Sequence, residues 1–147
     1  MADPLTDDPR VARVCAFWET LTPAALAELT AVYTEDTRFR DPFNDLRGSA
    51  ALATLLGHMF ERLLEPRFEI LEVALMPNGA VLIWDFHYRI RAWRPDTPRR
   101  IHGASHLRFA PDGRVAEHRD YWDAAAEVYE HLPLVGGLMR WLRRRLG

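Results

Sequence analysis

Residues 106–123 read HLRFAPDGRVAEHRDYWD, and this stretch decides the fold. Apolar and polar residues alternate on both sides of Pro111-Asp112-Gly113, which is the pattern of two β-strands joined by a tight turn. Two further turn sequences, at residues 77–79 and 94–98, separate alternating segments upstream. The sequence therefore predicts four consecutive antiparallel strands. We expect them at residues 68–76, 81–93, 101–109 and 115–122.

Helices are predicted before these strands. Residues 9–20 and 50–64 carry apolar side chains at helical spacing, and Pro66 ends the second of these helices. Between them, Thr22-Pro23 is typical of a helix start, and residues 37–41 form a short strand that ends at Pro42. Helices followed by strands indicate the α+β class, with the helices on one face of the sheet.

Alternation also assigns side chains to sheet faces. In residues 81–93, Leu82, Trp84, Phe86 and Tyr88 share the face expected to meet the helices. In the next strand that face runs from Ile101 through Gly103, Ser105 and Leu107 to Phe109. The last strand is different, because one face carries Glu117 and Arg119 and the other carries His118, Asp120 and Trp122. Whichever face turns inward therefore brings charge into the core.

Composition excludes several function classes. The chain has 147 residues, 48% of them hydrophobic, which suits one domain over residues 1–147. It has no lysine for a Schiff base or a phosphate loop, and a net charge of −2 argues against a nucleic-acid partner. Cys15 is the single cysteine, so we expect no disulfide and no metal centre. The acidic N-terminus is unlike a signal peptide, and we expect a cytoplasmic protein.

The chain has, in this order, two helices, the motif TRFRDPFNDLRG, a third helix and the segment HLRFAPDGRVAEHRDYWD. This combination resembles the nuclear transport factor 2-like superfamily, which includes ketosteroid isomerases and polyketide cyclases of the SnoaL type. The resemblance covers residues 9–122 and leaves residues 123–147 as a C-terminal extension. It implies a cone-shaped, strongly curved antiparallel sheet wrapped around the N-terminal helices, with a deep apolar pocket. It also implies a homodimer formed through the outer sheet face.

The resemblance identifies candidate catalytic residues. Asp41, followed by Pro42, stands where the isomerases carry their general base. The positions of their two oxyanion donors fall on Phe17 and Ser105, which disfavours steroid isomerisation unless Tyr33, Tyr88 or Trp18 supplies a donor.

When the chain is aligned with the superfamily on these motifs, His118 and Asp120 point into the pocket. This is the place where the cyclases are expected to carry a catalytic aspartate. Side chains at i and i+2 of one strand lie about 6–7 Å apart at Cβ, so this pair can share a proton directly or through one water. Two alternatives stay open. Asp41 can instead accept backbone N–H groups at the strand end, and the His118–Asp120 pair can be a buried structural pair.

The resemblance and the aromatic content together predict a pocket for a flat apolar ligand of steroid, polyketide or terpene size. The residues expected to line it are Phe17, Trp18, Tyr33, Phe39, Phe43, Trp84, Phe86, Tyr88, Ser105 and Trp122. His102 and His106 lie too far apart on a strand to share a metal.

The extension has its own pattern. Asp123 can cap a helix to about His131, Pro133 and Gly136-Gly137 interrupt it, and residues 138–146 form a basic amphipathic helix. Covering the pocket mouth or packing on a partner subunit is favoured for this helix over membrane contact.

The sequence thus favours a cofactor-independent acid/base enzyme, an isomerase or a cyclase, using Asp41, Asp120 and His118. A non-catalytic ligand-binding or dimeric interaction module is the alternative. Epoxide hydrolysis is less favoured, because the expected Asp-Arg-Asp pattern is not evident in the sequence.

Overall fold

Helices come first along the chain, strands follow, and a helical segment ends it. The computed structural model describes residues 5–147, apart from the side chain of Glu130. Residues 1–4, part of the acidic N-terminus discussed above, lie outside the described residues. The helices are α1 (Pro9–Glu19), a 3₁₀ helix (Ala24–Ala31), α2 (Ser49–Arg62), α3 (Ala124–Glu127), a 3₁₀ turn (Tyr129–His131) and α4 (Val135–Leu146). The strands are β1 (Tyr33–Arg40), β2 (Asp45–Arg47), β3 (Leu63–Met76), β4 (Gly79–Ile90), β5 (Arg99–Phe109) and β6 (Val115–Trp122).

The strands form one six-stranded sheet in the order β2-β1-β6-β5-β4-β3. Strands β3 to β6 pair antiparallel with their sequence neighbours, which confirms the predicted series of hairpins. Strand β1 differs from the expected all-antiparallel sheet, because it pairs parallel to β6. This mixed α+β fold is the predicted class.

Four local features differ from the prediction. Helix α2 ends at Arg62, so Pro66, which was expected to end it, lies inside β3. Strand β1 starts at Tyr33 and not at Thr37, because its register against β6 shifts between Tyr33 and Arg38 and breaks the alternation that marks a strand. The segment Ala24–Ala31 is a 3₁₀ helix, although Thr22 Oγ1 does accept the N–H of Ala25 at 3.2 Å near its start. Strand β2 was not predicted, since three residues cannot show a periodic pattern.

A β-bulge at Ala116 determines which side chains of β6 face inward. Arg108 pairs with Glu117 but Phe109 pairs with Val115, so Ala116 is one extra residue in β6. Thr37 of β1 donates its hydroxyl to the Ala116 carbonyl at 3.2 Å, which holds the bulge. Because the bulge absorbs this extra residue, Val115 and His118 face the same side of the sheet, and both are buried.

The inner sheet face packs on α1 and α2, as predicted. Leu82, Trp84, Phe86, Ile101 and Leu107 are all buried there. The outer face is polar and holds a cluster around Asp85, whose carboxylate accepts hydrogen bonds from His102 Nδ1 at 2.7 Å and Arg100 Nη1 at 3.1 Å. The hydrogen bond from His102, together with the charge of Arg100, lowers the pKa of Asp85.

The C-terminal segment follows the prediction in part. Asp123 caps α3 by accepting the N–H of Ala126 at 2.9 Å. Gly136 and Gly137 lie inside α4 and do not interrupt it, so the break falls at Pro133 and Leu134. None of the helices within residues 5–147 combines the length and apolar character needed to cross a bilayer.

Candidate active site

Six side chains from five elements meet at the inner face of the sheet. His118 and Asp120 project from β6, and Ser105 of β5 is the register partner of Asp120. The remaining three are Trp84 of β4, Tyr33 of β1 and Trp18 of α1. We call these six residues the Asp120 network.

One arm of the network runs from α1 to Asp120. The indole Nε1 of Trp18 donates to the Tyr33 hydroxyl at 2.8 Å, and that hydroxyl lies 2.8 Å from His118 Nδ1. The other ring nitrogen of His118, Nε2, lies 2.6 Å from Asp120 Oδ1. The bonds therefore form a continuous path from the helix to the carboxylate.

The second arm reaches Asp120 from the opposite side. Trp84 Nε1 donates to Ser105 Oγ at 2.8 Å, and the Ser105 hydroxyl donates to Asp120 Oδ1 at 2.5 Å. Oδ1 thus receives both arms. The other carboxylate oxygen, Oδ2, accepts no hydrogen bond from the part of the chain that the structure describes.

The two indoles at the ends determine the direction of every bond. An indole N–H can only donate, so the hydroxyls of Tyr33 and Ser105 each accept from a tryptophan and must pass their own protons onward. Tyr33 then donates to His118 Nδ1, which leaves the ring neutral with its proton on Nε2, facing Asp120. Both arms therefore deliver donors to Oδ1 of Asp120.

Burial supports this assignment. Tyr33 is 0% exposed and His118 is 4% exposed. Desolvation raises the pKa of the Tyr33 hydroxyl, so it keeps the proton that it donates to His118. The rings of Phe39 and Trp18 pack on the imidazole at centroid distances of 4.9 and 5.6 Å and hold its orientation.

Asp120 connects this buried network to a cavity. The cavity has a volume of about 400 Å³, within the range of small-molecule sites. His118 and Ser105 do not line it, and they border only a void of about 10 Å³ beneath it. Asp120, whose side chain is 15% exposed, is therefore the member of the network whose carboxylate a ligand can reach, together with the rings of Trp18 and Trp84.

Asp41 lines the same cavity but has local partners. Its Oδ1 accepts the backbone N–H groups of Phe43 and Asn44, both at 2.7 Å, and the Asn44 side-chain amide lies within 3.0 Å of both oxygens. This is the alternative that the sequence left open, a strand-end carboxylate organising its own turn.

The predicted ligand-binding residues divide into those that line the cavity and those that do not. Trp18, Phe39, Trp84, Phe86 and Trp122 line the cavity. The others lie elsewhere. Phe17 and Tyr33 are buried in the core, Ser105 holds Asp120, Tyr88 lines a neighbouring groove, and Phe43 is 53% exposed against the rings of Trp122 and Tyr129.

Helix α2 and strand β3 contribute cavity residues that were not named as ligand-binding. Leu55, Leu56 and Met59 belong to the apolar face of α2, so helical spacing carried that signal. Arg62 and His58 bring basic groups to the lining, and Phe68 of β3 packs on Phe86 at a centroid distance of 4.3 Å. Nothing in the local pattern marks these three as cavity residues.

The structure also answers whether another residue replaces the missing oxyanion donors. Trp18 and Tyr33 use their donors inside the Asp120 network, and Tyr88 faces a different groove. None of these three aims a donor at the cavity.

The chain is similar to several solved structures. A ketosteroid isomerase-like protein from Catenulispora acidiphila, solved with trimethylamine, has a TM-score of 0.69 at 16% identity, covering 84% of this chain and 92% of that one. An LEH-like epoxide hydrolase from M. tuberculosis has a TM-score of 0.67 at 20% identity, covering 92% and 96%. A Shewanella putrefaciens protein described as a SnoaL-like polyketide cyclase has a TM-score of 0.67 at 20% identity, covering 80% and 92%.

At these identities the similarity shows the fold. Comparison with curated protein sequences gave no significant match. The sequence does match the SnoaL-like domain over residues 13–118, which runs from α1 through His118 and includes most of the cavity lining. The chain therefore belongs to the SnoaL-like domain family of the nuclear transport factor 2-like superfamily.

Proposed function

We propose that this protein is a cofactor-independent acid/base enzyme that abstracts a proton next to a carbonyl of an apolar small molecule. The observation that carries this proposal is the position of Asp120, which is held by two arms at Oδ1 and presents its carboxylate to a cavity of about 400 Å³. A general base has to lie within hydrogen-bond reach of the proton that it takes, and a ligand in this cavity can reach the Asp120 carboxylate.

The reaction has a simple proton balance. Asp120 takes a proton from the carbon beside the carbonyl, and the electron pair of the C–H bond forms an enolate. The enolate either attacks a second carbonyl and closes a ring, whose new alkoxide takes the proton from Asp120, or takes that proton back at another carbon and isomerises. Arg62 and His58 line the same cavity and are the candidates for stabilising the enolate oxygen.

His118 and Ser105 act through Asp120 in this proposal. They hold its Oδ1 from two sides, so Oδ2 is left for the substrate. Both hydrogen bonds also fix the direction of the carboxylate.

The test uses a reaction that needs only a base in an apolar site. The Kemp elimination of 5-nitrobenzisoxazole removes one C–H proton and breaks the N–O bond, giving a coloured phenolate. We expect Asp120→Asn to lower turnover by about 10²–10⁴-fold, the usual contribution of a general base. Affinity for the neutral fluorescent probe N-phenyl-1-naphthylamine should stay unchanged, since the cavity wall is kept.

Two further variants complete this experiment. Glu117→Gln is the matched control, because it neutralises a carboxylate on the outer face of the same strand. Asp41→Asn is expected to lower turnover less than Asp120→Asn, because the Asp41 carboxylate is engaged by its own turn. Equal turnover of the wild type and Asp120→Asn would refute the proposal.

Epoxide hydrolysis is a second candidate. Asp41, Arg62 and Asp120 line one cavity, so the Asp-Arg-Asp combination that the sequence did not reveal is brought together in space. In this reaction a water oxygen bonds to an epoxide carbon and the ring C–O bond breaks. One water proton passes to the ionised member of the Asp41 and Asp120 pair, and the oxirane oxygen takes a proton from the other member, which starts as the carboxylic acid. Conversion of styrene oxide to its diol, lost in Asp120→Asn, would support it.

A non-catalytic ligand-binding module is the third candidate. It is favoured by the absence of cavity-facing donors on Trp18, Tyr33 and Tyr88. Tight binding of N-phenyl-1-naphthylamine without turnover of either substrate would favour it over both reactions. A homodimer through the polar outer sheet face fits all three candidates and is tested by light scattering of the purified chain.

A further inference from the structure

Helix α4 carries an apolar strip that the described residues of the chain leave uncovered. Leu134, just before the helix, is 93% exposed, and Leu138 and Trp141 are 52% and 47% exposed. Their spacing of four and three residues places them on one side of the helix. Gly136 is buried and Leu142 half-buried on the other side, and the main packing partner of the helix is the 3₁₀ turn Tyr129–His131.

Positive charge surrounds this strip. Residues 131–147 contain four arginines and neither aspartate nor glutamate. The guanidinium of Arg145 lies 5.5 Å from the centroid of the Trp141 ring, and Arg144 is adjacent in sequence. The apolar strip is therefore bordered by cations at the C-terminal half of the helix, next to the exposed Trp141.

The structure argues against two occupants of the strip. None of the described residues that line the cavity of about 400 Å³ comes from α4, so the helix does not cover the pocket mouth. A second copy of α4 would bring four more arginines against these four, and like charges repel. The occupant must instead be both anionic and apolar, and an anionic lipid surface has both properties at the depth where tryptophan prefers to lie.

We propose that α4 docks this protein on an anionic lipid surface. Leu134, Leu138 and Trp141 enter the boundary between headgroups and acyl chains, and Arg144 and Arg145 bind the lipid phosphates. The helix has 12 residues and lies along the surface. This inference does not depend on the reaction proposed for the cavity.

The experiment is co-sedimentation of the full-length protein with vesicles. We expect binding to vesicles of equal parts phosphatidylglycerol and phosphatidylcholine, weak binding to pure phosphatidylcholine, and release as salt screens the charges. Arg144→Gln/Arg145→Gln should weaken binding by roughly 30-fold, about fivefold for each arginine near an anionic surface. Leu138→Ser/Trp141→Ser should weaken it by more than about tenfold.

Matched variants separate this surface from general effects. Leu75→Ser removes a 55% exposed leucine at the far end of β3, and Arg67→Gln/Arg108→Gln removes two exposed arginines of the sheet. Both should bind vesicles like the wild type. Circular dichroism checks that all variants fold, and Trp141→Phe, which keeps an aromatic ring, should retain most of the binding.

Two results would overturn the proposal. One is that the wild type sediments equally with anionic and neutral vesicles, or that it sediments with neither kind. The other is an oligomer, seen by light scattering, that Leu138→Ser/Trp141→Ser dissociates without changing vesicle binding, because the strip would then be an interface between copies of this chain.

Discussion

Replacing Tyr33 by phenylalanine removes one hydroxyl from the centre of the Asp120 network. Two buried groups then lose their partner, the Nε1–H of Trp18 and the Nδ1 of His118, each 2.8 Å from that hydroxyl in the wild type. An unsatisfied buried polar group costs about 1–3 kcal/mol, so with two such groups we expect the free energy of unfolding to fall by about 2–6 kcal/mol. Urea unfolding followed by tryptophan fluorescence measures this difference.

The stability difference between wild type and Tyr33→Phe should also depend on pH in the alkaline range. Burial raises the Tyr33 pKa above its ordinary value of 10.0, so the folded protein keeps this hydroxyl neutral where the unfolded chain ionises it. This contribution to stability is complete below about pH 10 and is lost as the pH rises above it. The stability difference between wild type and Tyr33→Phe should therefore narrow above pH 10.

A control variant separates the loss of the buried Tyr33 hydroxyl from the loss of any tyrosine hydroxyl. Tyr121→Phe removes the hydroxyl of a tyrosine that is 49% exposed on the outer face, and its stability should equal that of the wild type within about 0.5 kcal/mol. If Tyr33→Phe is as stable as Tyr121→Phe at neutral pH, then Tyr33 does not join Trp18 to His118, and the assigned directions of the hydrogen bonds are wrong.

Three further predictions follow from packing and charge. In Gly103→Ala the new Cβ would lie 2.6–3.0 Å from ring atoms of Trp84, so the free energy of unfolding, measured by urea titration, should fall by about 1–3 kcal/mol. Gly57→Ala is the control, because nothing lies within 4 Å of its new Cβ, and it should raise the free energy of unfolding by roughly 0.5–1 kcal/mol. Burial raises the Cys15 thiol pKa to about 11, so iodoacetamide at neutral pH should label it only after unfolding; labelling of the native protein at the unfolded rate would contradict this. Asp85→Asn should destabilise the protein at neutral pH. The pKa of Asp85 lies below 3.8 in the folded state, so this carboxylate stabilises the fold only while it is ionised. Urea unfolding at decreasing pH should therefore show the stability difference from wild type disappearing as the pH falls through that lowered pKa.

Strand alternation explains how much of the fold could be predicted. Trp84, Leu107 and their neighbours stand at regular intervals, so period-2 patterning was enough to assign the inner face of β4 and β5. Strand β6 could not be assigned in this way. Its bulge at Ala116 changes the alternation within the strand, and a bulge depends on pairing with β5 and on the hydroxyl of Thr37, neither of which is local in sequence.

The candidate site was predicted in its members but not in their connections. His118, Asp120 and Ser105 were assigned to the site by the resemblance to the superfamily, because alternation alone left open which face of the last strand turns inward. The links through Trp18 and Tyr33 join residues 15 and 85 positions apart, so they follow from the packing of α1 and β1 against β6. The same holds for Arg62, because only the folded chain brings the end of α2 to the cavity that Asp41 and Asp120 share.

The bulge at Ala116 makes the cavity wall tolerant of a change in the length of β6. If Ala116 took part in a regular ladder, strict alternation from Val115 would place Glu117, Arg119 and Tyr121 inward in exchange for His118, Asp120 and Trp122. Loss of Ala116 would instead make Val115 and Glu117 consecutive partners of Phe109 and Arg108, and His118, Asp120 and Trp122 would keep facing inward. In a lineage of such chains, β6 can therefore lose this one residue without changing the acid-bearing wall of the cavity.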